Sequence, residues 1–333
     1  MPIAIISSLY RVEAHLEQYT QAVLTFAEQV HQAGIEVHYL PILNDATPLE
    51  RESIDTLASQ INNAGYGKMT PHYVGRETLY ASWNRGISLT DAPYFTFWNA
   101  DDVRDTDAFI EGYRALEAGA NLVDFKFMGV KSFKRFGLFP AVRHDQSAML
   151  FNPEQFTRKN GVGPFFMASK ALYEQVGKFD ENFRIAGDMQ WAGRTLPYVQ
   201  FYPAKKIGGY FYIHGDNLSN TGTNREVIEV NIIFMRRQEW QNLIPADPKA
   251  LRDAWESWGT LGDSRIPDDV TDFLWGDDAE KRWGKYQSER SQLGWIQRIR
   301  RTLAARGLIH SAEWSVYLWN RQQRKYINST EGK

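Results

Sequence analysis

Adjacent carboxylates at Asp101 and Asp102 are the residues of this chain best suited to holding a metal ion. They closely follow the apolar run 94–98, which has the character of a buried strand. Two carboxylates on a loop after such a strand can bind a hard divalent cation that also bridges phosphate oxygens. The dipeptide occurs twice more beyond residue 260, but neither copy follows an apolar strand pattern. Capping of the next helix is the alternative role, although Asp105 could fill it.

Two further side chains could contribute to the same chemistry. Asp188 lies among apolar neighbours in the segment 183–194, and an acid in such a setting can act as a general base. The alternative is that Asp188 caps a helix that begins at Met189. His214 ends a strand-like alternation, so its imidazole could be a third metal ligand beside the carboxylate pair. A hydrogen-bonded histidine at a strand end is the alternative there.

These residues belong to a pattern of polar clusters that follow predicted strands. Ser7-Ser8, Asn44-Asp45 and Asp101-Asp102 each come where an apolar, β-branched or aromatic run ends. In open parallel sheets, ligands bind beyond the carboxyl ends of the strands. The three clusters should therefore meet at one edge of a sheet and form a ligand site.

The first half of the chain alternates strand-like and helix-like segments. Apolar residues from Leu16 to Val30 recur at helical spacing, and Thr47-Pro48-Leu49-Glu50 is a capping box with proline at the first helical position. Helices are also predicted near 78–88 and from about 106 to 119, and strands at 3–7, 35–43, 72–74, 94–98 and 122–128. The alternation predicts an α/β fold with a mostly parallel sheet flanked by helices.

Composition excludes several classes of function. The 333 residues carry a formal charge of −2, which offers no general surface for nucleic acid, and there is no cysteine for disulfides or thiol chemistry. The sequence has no P-loop, dinucleotide-binding, serine-hydrolase or zinc-protease motif. The first residues do not resemble a signal peptide, and no apolar run is long enough to span a membrane. We therefore expect a cytoplasmic protein.

The character of the sequence changes near residue 227. Eight of the eleven tryptophans lie beyond residue 230, and strand patterns disappear. We predict two parts: residues 1–226 as the α/β domain, and 227–333 as a helical, tryptophan-rich C-terminal extension. Within the extension, 291–325 carries seven Arg or Lys against one acid. This basic segment could contact the inner face of a membrane peripherally, or it could pack as an ordinary helix.

The order of these segments resembles glycosyltransferase family 2, whose members are inverting enzymes with the GT-A fold. Segments 7–11 and 44–47 match the family's two loops after the first strands, and 80–86 matches its N-x-G helix. Segment 97–102 resembles its D-x-D-type motif, and 163–183 its acceptor-side segment. Asp188 falls at the catalytic base of the family's E-D motif, and Arg194 matches the arginine that follows. The likeness covers about residues 3–220.

The resemblance implies a metal-dependent enzyme that moves a sugar, of the hexosyl type, from a nucleotide-diphosphate sugar to an acceptor hydroxyl. Asp188 would be the base, and Asp101, Asp102 and His214 would hold Mn²⁺ or Mg²⁺. Residues implied to contact the nucleotide sugar are Ser7, Ser8, Tyr10, Asp45, Asn84, Asp101 and Arg194. The acceptor would be a saccharide or a lipid-linked saccharide, as in polysaccharide or glycolipid biosynthesis.

The chain departs from the family pattern at three points. Ser7-Ser8 replaces Pro-Thr, Asn44 replaces the first aspartate of the early turn, and Gly187 stands where the family usually has glutamate. Two alternatives stay open. A nucleotidyltransferase would also use paired aspartates and magnesium, but the chain lacks the glycine-rich basic loop typical of that class. A non-catalytic partner protein would use the tryptophan-rich extension instead.

Overall fold

The computed structural model describes residues 1–130, the backbone of 142–144, and residues 162–183, 185–195 and 198–213. The strands are β1 Ile3–Leu9, β2 Val37–Asn44, β3 Lys68–Met69, β4 His72–Val74, β5 Tyr94–Phe97, β6 Val103–Arg104, β7 Leu122–Val130, β8 Val142–His144, β9 Met167–Ser169 and β10 Phe201–Tyr212. The helices are α1 Leu16–Gln32, α2 Pro48–Ala64, α3 Leu79–Ser88, α4 Thr106–Glu117, α5 Lys170–Val176 and α6 Gly187–Thr195. These elements confirm the predicted α/β class.

The described strands form one ten-stranded sheet, in which the N-terminal strands β1–β5 pair in parallel and β7 pairs in parallel with β10. The order along the sheet is β3-β2-β1-β5-β9-β7-β10-β6, with β4 paired to β2 and β8 paired to β7. Strand β1 runs parallel to both β2 and β5, with Ile3 opposite Val37 and Tyr94. The carboxyl ends of these three strands therefore lie at the same edge, as the sequence pattern predicted.

The other half of the sheet contains pairings that the sequence pattern did not predict. Strand β9 joins β5 to β7 by antiparallel pairing on both sides, and the two-residue β6 pairs antiparallel with β10. Long-range pairing of two- and three-residue strands leaves little periodicity in the sequence. The pairing of β6 with β10 fixes the chain immediately after Asp102, because β6 begins at the next residue.

Neighbouring side chains at the end of β5 pack on opposite faces of the sheet. Trp98, just beyond the strand, packs edge-to-face on Phe26 of α1, and Phe26 in turn contacts Phe109 of α4. On the opposite face Phe97 stacks on Trp83 of α3 at a centroid distance of 3.7 Å. The period of two in a strand places neighbouring side chains on opposite faces, so helices cover both sides of the sheet.

Helix starts follow the local signals in the sequence. Thr47 and Glu50 form the predicted capping box at α2, and Thr78 and Asp105 cap α3 and α4. The buried Glu50 also accepts the backbone N–H of Val12 at 2.6 Å, which ties the chain after β1 to α2. In the part of the chain that the structure describes, no helix combines the length and apolarity needed to cross a membrane.

Candidate functional site

Hydrogen bonds between side chains join the ends of β1 and β2. Asn44 is buried and donates from Nδ2 to Ser82 Oγ at 3.1 Å and to Ser8 Oγ at 3.5 Å, while its Oδ1 accepts the backbone N–H of Glu77 at 3.0 Å. Ser7 is also buried and accepts the Tyr19 hydroxyl proton at 2.7 Å. Ser7 and Asn44 thus hold the edge together from inside the protein.

An exposed surface lies beside this pair of strand ends. Asp45 is exposed and has a left-handed backbone conformation with φ of 44°, held by its N–H bond to the Val74 carbonyl at 3.0 Å. Tyr10 follows β1 and is also exposed, and the guanidinium of Arg76 lies 4.7 Å from its ring centroid. A planar ring, a carboxylate and a guanidinium at a sheet edge are suited to stacking on and hydrogen bonding to a base or a ribose.

The carboxylate pair lies after β5 at the same edge. Asp102 is buried, and its carboxylate accepts the Asn99 amide at 2.9 Å and the backbone N–H of Tyr212 at 3.2 Å. Burial, followed by the charge of Asp101, raises the pKa of Asp102 well above its usual range. A cation near the pair would offset both effects, because it restores the interaction that the buried charge lost with water.

Arg104 is a charged residue of this region that the sequence pattern did not single out. It is buried, and its guanidinium donates to Thr96 Oγ1 at 2.6 Å and to the Phe165 carbonyl at 2.8 Å. Burial lowers the pKa of Arg104 to about 9, and the charge of Asp102 acts in the opposite direction. Arg104 therefore anchors the strand that follows Asp102 and adds positive charge beneath the carboxylate pair.

Asp188 is the second residue of α6, and its carboxylate is hydrogen-bonded within the protein. Its Oδ1 accepts the backbone N–H of Met189 at 2.7 Å and lies 3.3 Å from the hydroxyl of Tyr80 on α3. A carboxylate in the first turn of a helix interacts favourably with the helix N-terminus. The helix begins one residue before Asp188 and two before the predicted start at Met189, so Asp188 lies inside the first turn and is partly buried.

The segment before α6 is fastened by Asn84. This buried amide donates to the Phe179 carbonyl at 2.9 Å and to Glu181 Oε1 at 2.8 Å, and it accepts from the Tyr173 hydroxyl and the Phe179 N–H. Two donors and two acceptors are the full capacity of an asparagine side chain. In this structure Asn84 is fully engaged inside the protein, where it positions the segment that leads to Asp188.

Arg194 also contacts the protein backbone. Its guanidinium donates to the carbonyls of Val176, at the end of α5, and of Lys178. A cation is stabilising at the carbonyl end of a helix, so Arg194 joins α6 to the end of α5. His214 lies outside the described residues. Among those described, no three His, Asp or Glu side chains lie close enough together to hold a metal ion.

The site that emerges has two parts. Asp45, Tyr10 and the carboxylate pair share the edge formed by β1, β2 and β5, whereas Asp188 lies at the start of α6. The donor set of Asp101 and Asp102 fits a divalent cation that takes its remaining ligands from phosphate and water. Hydrogen bonds of α3 reach both parts, through Ser82 to β2 and through Tyr80 to α6.

Comparison with known proteins identifies the fold. No protein-family model matches the chain, and no curated protein matches it in sequence. Among solved structures, residues 1–349 of S. aureus TarS superpose with a TM-score of 0.56 at 10% identity, covering 89% of this chain and 93% of that one. Against another, longer TarS chain the similarity covers 44% of its length.

A second neighbour is the mannosyltransferase PcManGT from Pyrobaculum calidifontis, in complex with GDP-Man and Mn²⁺. It superposes with a TM-score of 0.54 at 12% identity, covering 98% of this chain and 84% of that one. TarS 1–349 has likewise been solved in complex with UDP-GlcNAc. At these identities the likeness shows the fold alone.

Proposed function

We propose that this protein is a metal-dependent, inverting glycosyltransferase of the family 2 type, which uses a nucleotide-diphosphate sugar. The observation that carries the proposal is the pair Asp101-Asp102 after β5, at the edge where β1 and β2 also end. The two structural neighbours support it, because they were solved with UDP-GlcNAc and with GDP-Man and Mn²⁺.

In this proposal the sheet edge binds the nucleotide. Asp45 hydrogen-bonds to the base or the ribose, and Tyr10 contacts the base with Arg76 behind its ring. Ser8 lies nearby, and the buried Ser7 and Asn84 contribute by holding the strand end and the segment beyond Phe179. Asp101 and Asp102 would hold Mn²⁺ or Mg²⁺ against the diphosphate, and His214 is a further ligand in the proposal. Such a cation offsets the charge that develops on a leaving diphosphate.

The proposed reaction needs one proton acceptor. The oxygen of the acceptor hydroxyl attacks the anomeric carbon from the side opposite the diphosphate, and the bond from that carbon to the diphosphate oxygen breaks. Asp188 takes the hydroxyl proton on its carboxylate during the attack. A base held in position contributes about 10²–10⁴-fold in rate. The helix N-terminus and Tyr80 keep the Asp188 carboxylate in place before the substrate arrives.

The acceptor in this proposal is a saccharide or a lipid-linked saccharide. In this proposal the partly buried Asp188 meets the hydroxyl of that acceptor. The basic, tryptophan-containing segment 291–325 would supply a peripheral membrane contact if the acceptor is lipid-linked. The proposed location is the cytoplasm, at the inner face of the membrane.

Hydrolysis of the nucleotide sugar tests the proposal without a known acceptor, since water can replace the acceptor hydroxyl. The purified protein is incubated with UDP-GlcNAc or GDP-Man and Mn²⁺, and release of the nucleoside diphosphate is measured. Asp188→Asn should lower turnover at least 100-fold and leave nucleotide affinity within twofold. Asp102→Ala should lose the binding that depends on Mn²⁺.

Asp107→Asn is the matched control. Asp107 is an exposed aspartate of α4 that pairs with Lys206 at 2.8 Å and has no role in the proposed site, so this variant should keep full turnover. Turnover of Asp188→Asn at the wild-type rate would show that the base is another residue. Wild-type protein that neither binds nucleotide nor releases it would favour the non-catalytic partner role.

A further inference from the structure

Tyr80 is a buried residue beside the proposed base. It is the second residue of α3, and only 1% of its surface is exposed. Its ring stacks on Phe179 at a centroid distance of 6.0 Å and meets Trp83 edge-to-face at 5.2 Å. Contacts on a face and an edge hold the ring in a single orientation, so packing determines where the hydroxyl points.

The hydroxyl points at the start of α6. It donates to the carbonyl of Ile185 at 2.8 Å and also lies within hydrogen-bond distance of Asp188 Oδ1, at 3.3 Å. A phenol has one proton, so the two acceptors share it. An ionised carboxylate attracts that proton more strongly than a protonated carboxyl does. The contact therefore strengthens in the form of Asp188 that can accept a proton.

The Tyr80 ring also occupies the side-chain space of the residue before Asp188. A Cβ added at Gly187 would lie 2.5 Å from a ring carbon of Tyr80, closer than any real contact. The family that this chain resembles usually has glutamate at that position. Here a tyrosine from α3 fills the space, and its hydroxyl contacts the aspartate that follows.

Helix α3 also contacts the end of β2, at the sheet edge where the nucleotide is proposed to bind. Ser82 of α3 accepts from Asn44 at the end of β2, at 3.1 Å, and the N–H of Glu77 donates to Asn44 Oδ1 at 3.0 Å. One short helix therefore spans from the strand end beside Asp45 to the carboxylate of Asp188. The position of Asp188 is set relative to the same helix that holds the end of β2.

We propose that Tyr80 is the positioning residue for the base: it holds Asp188 for proton transfer and replaces, in space, the glutamate side chain missing at Gly187. This inference rests on the proposed function. Tyr80 is only 1% exposed, so in this proposal it acts through Asp188 and not through contact with the nucleotide sugar. Its removal therefore affects the rate of the chemical step and leaves the binding of the nucleotide sugar unchanged.

Tyr80→Phe tests the inference, because it deletes the hydroxyl and keeps the ring that packs on Phe179. In the hydrolysis assay kcat should fall about tenfold, with KM within twofold of wild type. The acidic limb of the pH–rate profile should move to higher pH by about half a unit, because the lost proton donor favoured the ionised base. Tyr94→Phe is the matched control, because Tyr94 is a buried tyrosine that donates to the Leu116 carbonyl at 3.3 Å. Removal of the Tyr94 hydroxyl should change neither kcat nor the acidic limb of the pH–rate profile.

A measurement that needs no turnover separates this inference from the proposed function. The ¹³C resonance of the Asp188 carboxyl, assigned by its absence in Asp188→Asn, is titrated in wild type and in both tyrosine variants. Its midpoint should move upward in Tyr80→Phe alone. An unchanged midpoint, or an unchanged kcat beside a moved midpoint, would overturn the role of Tyr80. A moved midpoint in a protein that never releases nucleotide would support the Tyr80 contact and refute the glycosyltransferase proposal.

Discussion

Asn44→Asp restores the aspartate of the family pattern, and we predict that it destabilises this protein. The buried Asn44 donates to Ser82 Oγ at 3.1 Å and lies 3.4 Å from the carbonyls of Leu9 and Ile42. An ionised carboxylate cannot donate, so these groups lose their partner and the two carbonyls face a negative charge. One orphaned buried group costs about 1–3 kcal/mol, and the buried charge adds to it. We expect a loss of about 3 kcal/mol at pH 7.

The loss should depend on pH in a defined direction. Burial and the neighbouring carbonyls raise the pKa of the new carboxyl above its unfolded value of about 3.9. The folded variant then binds more protons than the unfolded chain, so its stability falls as the pH rises. Near pH 4.5 the protonated carboxyl can donate one hydrogen bond, and the loss should shrink to about 1 kcal/mol.

Urea unfolding at pH 7 and at pH 4.5 measures both values. Asn62→Asp is the matched control, since the exposed Asn62 donates to the Met69 carbonyl at 2.9 Å and accepts from the Met69 N–H at 2.8 Å. Asn62→Asp should lower the free energy of unfolding by less than about 1 kcal/mol at both pH values. Equal losses at positions 44 and 62, or a loss at position 44 that does not shrink at pH 4.5, would refute the structural role assigned to Asn44.

Two further predictions concern stability. Burial raises the pKa of Asp124 to about 7, so the folded protein keeps a proton that the unfolded chain releases from about pH 4, and wild type loses stability as pH rises through this window. Asp124→Asn should flatten that dependence in urea unfolding between pH 5 and pH 8, and parallel curves would contradict it. Gly187→Ala should cost about 1–3 kcal/mol because its Cβ would lie 2.5 Å from the Tyr80 ring. Gly75→Ala is its control, since nothing lies within 4 Å there, and equal unfolding midpoints would rule out the clash.

Local signals in the sequence predicted the N-terminal half of the fold. The capping box at Thr47, the cap at Asp105 and the apolar run before Asp101 all involve residues a few positions apart. The parallel arrangement followed from the alternation of strands and helices, which brought the polar clusters to one edge. The division at residue 227 stays a prediction, because the extension lies outside the described residues.

Contacts between residues far apart in the chain could not be predicted in this way. Tyr80 and Asp188 are 108 residues apart, and the Arg104 guanidinium donates to the carbonyl of Phe165, 61 residues away. Sequence periodicity does not predict such contacts, because they depend on how the antiparallel strands β9 and β6 pair within the sheet. The sequence showed only the glycine at position 187, where the family that the chain resembles usually has glutamate, and the structure shows that the Tyr80 ring occupies that space.

Thermal unfolding of the purified protein in the presence of nucleoside diphosphates tests whether Asp101 and Asp102 form a metal-dependent nucleotide site. UDP, GDP, CDP and dTDP are each added with Mn²⁺, and the scan is repeated with EDTA and with Asp102→Ala. At about 100 times its dissociation constant a ligand adds ~2.7 kcal/mol to the free energy of unfolding. We predict stabilisation by at least one nucleotide that EDTA and Asp102→Ala both abolish. No stabilisation by any of the four, or stabilisation that persists in Asp102→Ala, would contradict the assignment of the carboxylate pair to a metal-dependent nucleotide site.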